Sequence, residues 1–229
     1  MIERPDGGST RTDWTKPAVL DDIVVRFDYR DWFSSPRALF GLDRSTGDRV
    51  WTAELELPVE WRWRGHPVCG DGYVVVTASL TSPQAGDGGN DNTTDEPMSQ
   101  LYVLDGETGE VVWDATLEGA SFRQPAYADG YLFLGTSDRR LFAVDVANRS
   151  IAWTYRTTVG MIGRPAITPE RVYVAQHREL AAIDVADGTL DWRLPFDRSG
   201  SDPVVADNAV YIRVDRRGQE TDLVAIHES

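Results

Sequence analysis

Five residues each stand immediately before a proline in a recurring phrase. Lys16 precedes "PAVLDD", His66 "PVCGDG", Gln124 "PAYADG", Arg164 "PAITPE" and Asp202 "PVVADN". Cations, an imidazole, an amide and a carboxylate can together hold a polar ligand by ion pairing and hydrogen bonding. Just ahead of His66, "EWRWRGHP" alternates Trp61, Arg62, Trp63 and Arg64, and indole beside guanidinium suits a planar, acidic or peptide ligand. Lys16, Trp61, Trp63, Arg64, His66, Gln124, Arg164 and Asp202 are therefore the candidate ligand rim. Strand alternation offers a plainer reading, with both indoles packed inward and the arginines solvated.

The residue types that make and break bonds lack a constellation. His66, His177 and His227 lie on different repeats without ligand spacing, so no zinc site is expected. Cys69 is the only cysteine, which excludes an internal disulfide and a cysteine-cluster metal site, and it reads as a small buried apolar residue. No Gly-x-Ser-x-Gly elbow, phosphate loop or dinucleotide fingerprint is present. Asp87, Asp91, Asp95 and Glu96 fall in "TSPQAGDGGNDNTTDEPMS", residues 81–99, at a spacing that fits no calcium loop, and this acidic insertion is expected to be mobile. Asn92-Thr93-Thr94 is a glycosylation sequon, meaningful only in an exported protein. No catalytic residue, cofactor or metal is expected.

The net charge of −14 argues against a nucleic-acid partner, which needs clustered cations to displace counterions. Lys16 is the sole lysine, and acid excess with almost no lysine resembles proteins of salt-loving archaea. No apolar run approaches the roughly 20 residues of a membrane helix. The opening "MIERPDGGSTRTDW" has neither a basic nor an apolar leader region, so no secretory signal is expected in this chain.

These residues need elements to position them, and the elements repeat. Asp-x-x-Thr-Gly-x-x-x-Trp occurs at Asp43, Thr46, Gly47, Trp51 and again at Asp105, Thr108, Gly109, Trp113. Looser copies follow at Asp145, Asn148, Trp153 and at Asp184, Asp187, Gly188, Trp192. Each unit reads as short apolar runs broken by Gly, Asp, Asn and Pro, which is strand and hairpin chemistry. In the third unit the runs are "PAYA", "GYLFLGT", "LFAVD" and "SIAW". Units of about 40 residues with four strands predict propeller blades. The expected fold is all-β, a propeller of four-stranded antiparallel blades in one domain, with units near 17–66, 67–124, 125–164, 165–202 and 203–229. A shorter insertion falls near residues 27–35. The last unit ends "TDLVAIHES" with His227 in the aspartate's place, so its blade is expected to be incomplete.

The phrases "LFGLDRSTGDRVW" and "LYVLDGETGEVVW" resemble the tryptophan-docking repeat of the pyrroloquinoline-quinone-like propellers, over roughly residues 17 to 226. That family includes quinoprotein dehydrogenases and non-catalytic relatives of the cell envelope. The resemblance implies that Asp43, Gly47, Trp51, Asp105, Gly109, Trp113, Asp145, Trp153, Asp184, Gly188 and Trp192 are structural docking residues, each indole packed between neighbouring blades. It implies an envelope or other extracytoplasmic location and a non-enzymatic scaffold that binds a protein or envelope component. Missing repeats or self-association would complete the ring. The alternative is a quinoprotein dehydrogenase or a fragment of one, but those enzymes usually carry a vicinal cysteine pair, which a chain with Cys69 alone cannot form.

Overall fold

The computed structural model describes residues 16–28, 38–55, 61–80, 98–119, 125–136, 138–157, 163–176, 178–198, 200–207, 209–215 and 221–227. The insertion near residues 27–35 lies outside them apart from two residues that end β2. Residues 81–97 lie outside as well, while Met98 and Ser99 open β7 instead of belonging to a loop.

Nineteen strands form five antiparallel sheets in chain order. The first holds β1 (Ala18–Leu20), β2 (Ile23–Asp28), β3 (Ala38–Asp43) and β4 (Arg49–Glu54). The second holds β5 (Trp61–Gly70), β6 (Tyr73–Leu80), β7 (Met98–Asp105) and β8 (Val111–Glu118). The third comprises β9 (Ala126–Ala128), β10 (Tyr131–Gly135), β11 (Arg140–Asp145) and β12 (Ser150–Arg156). The fourth comprises β13 (Ala166–Ile167), β14 (Arg171–Gln176), β15 (Glu179–Asp184) and β16 (Leu190–Pro195). The fifth has three strands, β17 (Val204–Ala206), β18 (Ala209–Asp215) and β19 (Thr221–His227).

Local chemistry fixes each blade. In the first three blades the first and second strands are joined by tight two-residue turns, and Asp71-Gly72 and Asp129-Gly130 have positive φ at both positions. That geometry matches the right-handed twist of the flanking strands. In the turn between third and fourth strands, the Asp43 carboxylate accepts the Ser45 and Thr46 amides at 2.8 Å, and Gly47 closes the turn at φ 77°. The Ser45 hydroxyl and these amides hold the Asp43 carboxyl down at about 2. Asp105 is lowered in the same way by Thr108, and Asp145 by Asn148. The fourth strand then returns with a one-residue register shift beside each tryptophan, so that Trp51, Trp113, Trp153 and Trp192 face Gly41, Val103, Ala143 and Ala182.

The core lies between the blades. Val25, Phe27 and Leu39 of the first blade pack on Val74, Val76 and Leu104 of the second. Similar clusters join the second to the third, the third to the fourth and the fourth to the fifth. Two indoles also bond across a seam: Trp51 Nε1 donates to the Gly106 carbonyl at 2.9 Å and Trp153 Nε1 to the Val185 carbonyl at 2.8 Å. Burying an indole of about 150–250 Å² is worth at most about 4–6 kcal/mol.

The second blade begins earlier than the phrase at Pro67 suggests. Trp61–Arg64 already pair with Leu80–Thr77, and the register shifts between Arg64 and Val68. Proline has no amide to donate, so the ladder breaks around Pro67 and resumes beyond it.

Candidate functional site

The five innermost strands, β1, β5, β9, β13 and β17, line one cavity of about 690 Å³. Its wall comes from the recurring prolines, Pro17, Pro67, Pro125, Pro165 and Pro203, and from the small apolar residues that follow each. The fixed φ of proline and the short side chains keep five strands close without filling the space between them.

Lys16, His66, Arg164 and Asp202 all line this cavity. Lys16, Arg164 and Asp202 stand just ahead of β1, β13 and β17, and His66 stands within β5, immediately before Pro67. Gln124 lies outside the described residues, as do the side chains of Trp61, Trp63 and Arg64, whose backbone extends β5 away from Pro67. His177 also lies outside, and His227 stands exposed on β19.

Two pairs connect the rim. The Lys16 amide donates to His66 Nδ1 at 2.9 Å, linking the first and second blades. The bond requires Nδ1 to be unprotonated, and burial, then the charges of Lys16 and Arg164, lower the His66 pKa. The imidazole is therefore neutral at physiological pH, with Nε2 as its donor. The Arg164 amide donates to Asp202 Oδ1 at 3.2 Å, linking the fourth and fifth blades. Gly163 makes this approach possible, because a Cβ there would lie 2.3 Å from Asp202 Oδ1. The described rim thus sets two cations against one carboxylate, in a chain whose overall charge is −14.

Sequence reasoning did not place Cys69 or Tyr127 in the wall, and both are there. Their signal was the recurring proline phrase itself, which carries each of them two residues after its proline. Burial pushes the Cys69 thiol up to about 12, so it carries no thiolate and has no nucleophilic character near neutrality. The Cδ1–Cε1 edge of the Tyr127 ring lies against Gly70, where a Cβ would come within 2.4 Å, and burial with the Asp71 carboxylate nearby raises its pKa.

The site can bind and orient; its residues do not supply a nucleophile with a base. They do not fit a quinone either. No vicinal cysteine pair can flank the ring, and among the described residues no three His, Cys, Asp or Glu side chains gather at metal-binding distance.

A family model described as "Outer membrane protein assembly factor BamB" matches residues 38–227. The chain belongs to this family. BamB of Yersinia pestis is 23% identical over 188 residues, covering 74% of this chain and 45% of that protein. BamB of Moranella endobia (strain PCIT) is 20% identical over 165 residues, covering 69% and 40%. The chain therefore spans less than half the length of the curated relatives it matches. Among solved structures, the computationally designed Ika8 protein aligns with a TM-score of 0.64 at 15% identity, over 92% of this chain and 57% of that one. BamB from Moraxella catarrhalis aligns with a TM-score of 0.50 at 16% identity, over 91% and 72%. These likenesses show the BamB-like propeller fold.

Proposed function

We propose that this chain is a non-enzymatic propeller scaffold that binds a protein or cell-envelope component at the mouth of its central cavity. Membership of the BamB family supports a role in protein assembly at the envelope. The observation that carries the reading is that Lys16, His66 and Arg164, with Asp202 as the one carboxylate, line a cavity walled by the recurring prolines, in a chain that is otherwise strongly acidic. Such a mouth favours an extended acidic segment of a partner protein. Its carboxylates meet Lys16 and Arg164, its backbone carbonyl can accept from His66 Nε2, and its aliphatic groups enter between the prolines.

The test is fluorescence anisotropy with labelled acidic peptides, comparing the native chain with Lys16→Gln and Arg164→Gln. Each loss is expected to weaken binding by about tenfold, the scale of one charge-assisted hydrogen bond. Unchanged affinity in both variants would remove the site. In parallel, pyrroloquinoline quinone and calcium are added with an alcohol or a sugar. Turnover that depends on the quinone would replace the scaffold reading with the dehydrogenase one.

A further inference from the structure

Each complete blade has two ends. At one, the first strand turns into the second and the third into the fourth; at the other, the first strand begins, the second leads to the third and the fourth leaves. The latter is the mouth end, where Lys16, His66, Arg164 and Asp202 stand.

Blades three and four divide their charge between these ends. Among their described residues, the turn end carries six carboxylates, Asp129, Asp145, Glu170, Asp184, Asp187 and Asp191, against two arginines, Arg149 and Arg171. The mouth end reverses the balance, with seven arginines against Asp138, Glu179 and Asp197. Two of those carboxylates are already engaged: Asp138 pairs with Arg140, and Glu179 Oε1 lies 3.6 Å from Arg193 Nε. Arg140 also holds Glu118 of the second blade at 2.7 Å. The other five arginines, Arg139, Arg156, Arg164, Arg178 and Arg198, are exposed.

Hydrogen bonds set these five near one another. The Thr157 amide, next to Arg156, donates to the Arg139 carbonyl at 2.9 Å, and the Phe196 amide, two residues before Arg198, donates to the Arg178 carbonyl at 2.7 Å. The Gly163 amide, next to Arg164, donates at 3.2 Å to the carbonyl of Ala175, three residues before Arg178. Between the blades, Arg193 Nη2 donates at 3.0 Å to the hydroxyl of Tyr155, the neighbour of Arg156. The arginines thus form a tract that runs from the cavity mouth at Arg164 over the ends of blades four and three.

We infer that the acidic segment of a partner protein, once seated in the mouth, continues over this tract, so that the mouth end of blades three and four is the docking surface for a run of carboxylates. The inference rests on the mouth reading given above. Exposed guanidinium forks pair bidentately with carboxylates. The carboxylates at the turn end repel the same segment, so the partner meets these blades from one side only. A protein fits this surface better than a lipid headgroup layer. The large apolar side chains exposed on blades three and four, Ile151 and Leu190, stand at the turn end, and among the described residues the mouth end of these blades has no apolar anchor to insert.

The probes are a fluorescein-labelled peptide, Glu-Val-Glu-Leu-Glu-Val, and the same peptide lengthened by Glu-Glu-Ser-Glu-Glu at either end in turn. With the full chain at low salt, fluorescence anisotropy is expected to show a lengthened peptide binding about tenfold more tightly than the short one, the sum of two or three exposed charge pairs. The gain should fade as salt is raised to about 0.5 M. Arg156→Gln with Arg178→Gln should abolish the gain and leave the short peptide's affinity unchanged, whereas Lys16→Gln should weaken both peptides. Arg44→Gln with Arg149→Gln, which lowers the net charge equally at the turn end, should alter neither affinity. The inference fails if lengthening brings no gain, if the gain survives the loss of Arg156 and Arg178, or if the turn-end variant loses it equally; the mouth reading then stands on the short peptide alone. If only a lengthened peptide binds, and does so through Arg156 and Arg178, the mouth reading falls and the arginine tract stands. Binding to vesicles of anionic phospholipid that disappears with Arg156 and Arg178 would also overturn the inference, by assigning the tract to lipid.

Discussion

At the first seam the indole of Trp51 lies within 2.5 Å of where a Cβ on Gly109 would stand, and its nitrogen donates to the Gly106 carbonyl. The third seam is built alike: Trp153 lies against Gly188 and donates to the Val185 carbonyl. At the second seam the turn position held elsewhere by glycine is Arg149, at φ 54°, and the residue facing the indole is Val103. Trp113 is half-buried there and packs on the cluster that contains Val103, Val144 and Val146, and no hydrogen bond corresponding to the other two runs to the Val146 carbonyl. At the other two seams a Cβ at this turn position would meet the indole, and Arg149 carries a Cβ there. One repeat therefore holds its blades in two ways: indole against glycine with a buried hydrogen bond, and indole against an aliphatic cluster without one.

The largest expected effect compares the indoles directly. Trp51→Ala removes a side chain that is 7% exposed and leaves the Gly106 carbonyl without its donor, so a loss of about 3–5 kcal/mol is expected. Trp113→Ala removes a half-buried ring with no such bond, and about 1–2 kcal/mol is expected. Urea unfolding followed by circular dichroism measures both. Equal losses would show that the two seams are energetically the same.

Glycine geometry sharpens the contrast. Gly109 and Gly47 have nearly the same backbone, at φ 74° and 77°, yet a Cβ on Gly47 would meet nothing within 4 Å. Gly47→Ala pays only for the left-handed conformation, about 1–2 kcal/mol. Gly109→Ala pays that and also displaces Trp51, for about 2–4 kcal/mol in all. If the two variants unfold at the same urea concentration, the approach of the indole to Gly109 contributes nothing.

How much of this could be read from the sequence follows from which interactions are local. Asp43, Thr46 and Gly47 act within one turn, so their spacing announces the turn, and the alternating runs around it announce the strands. The recurring proline marks the innermost strand, which is why Lys16, His66, Arg164 and Asp202 share a position legible from spacing alone. The seams were less legible, because the acceptors of the indole nitrogens are main-chain carbonyls of Gly106 and Val185, which carry no side-chain signature. The same holds at the rim, where the donors to His66 and Asp202 are backbone amides. The start of β5 at Trp61 was hidden by Pro67, since a proline ordinarily marks where a ladder stops.

The smallest expected effect works on the second seam in the opposite direction. A non-glycine residue in the left-handed region is strained by about 1 kcal/mol relative to glycine. Arg149→Gly removes that strain and the Cβ at this turn position, so a stabilisation of about 0.5–1 kcal/mol is expected, net of the extra freedom glycine gives the unfolded chain. The variant also predicts a spectroscopic change that strain relief alone does not. If Trp113 then settles as Trp51 and Trp153 do, its ring becomes more buried and the tryptophan emission shifts to the blue. That shift should disappear in the double variant with Trp113→Phe. A gain in stability with unchanged emission would mean that Val103, rather than Arg149, keeps the second indole where it is.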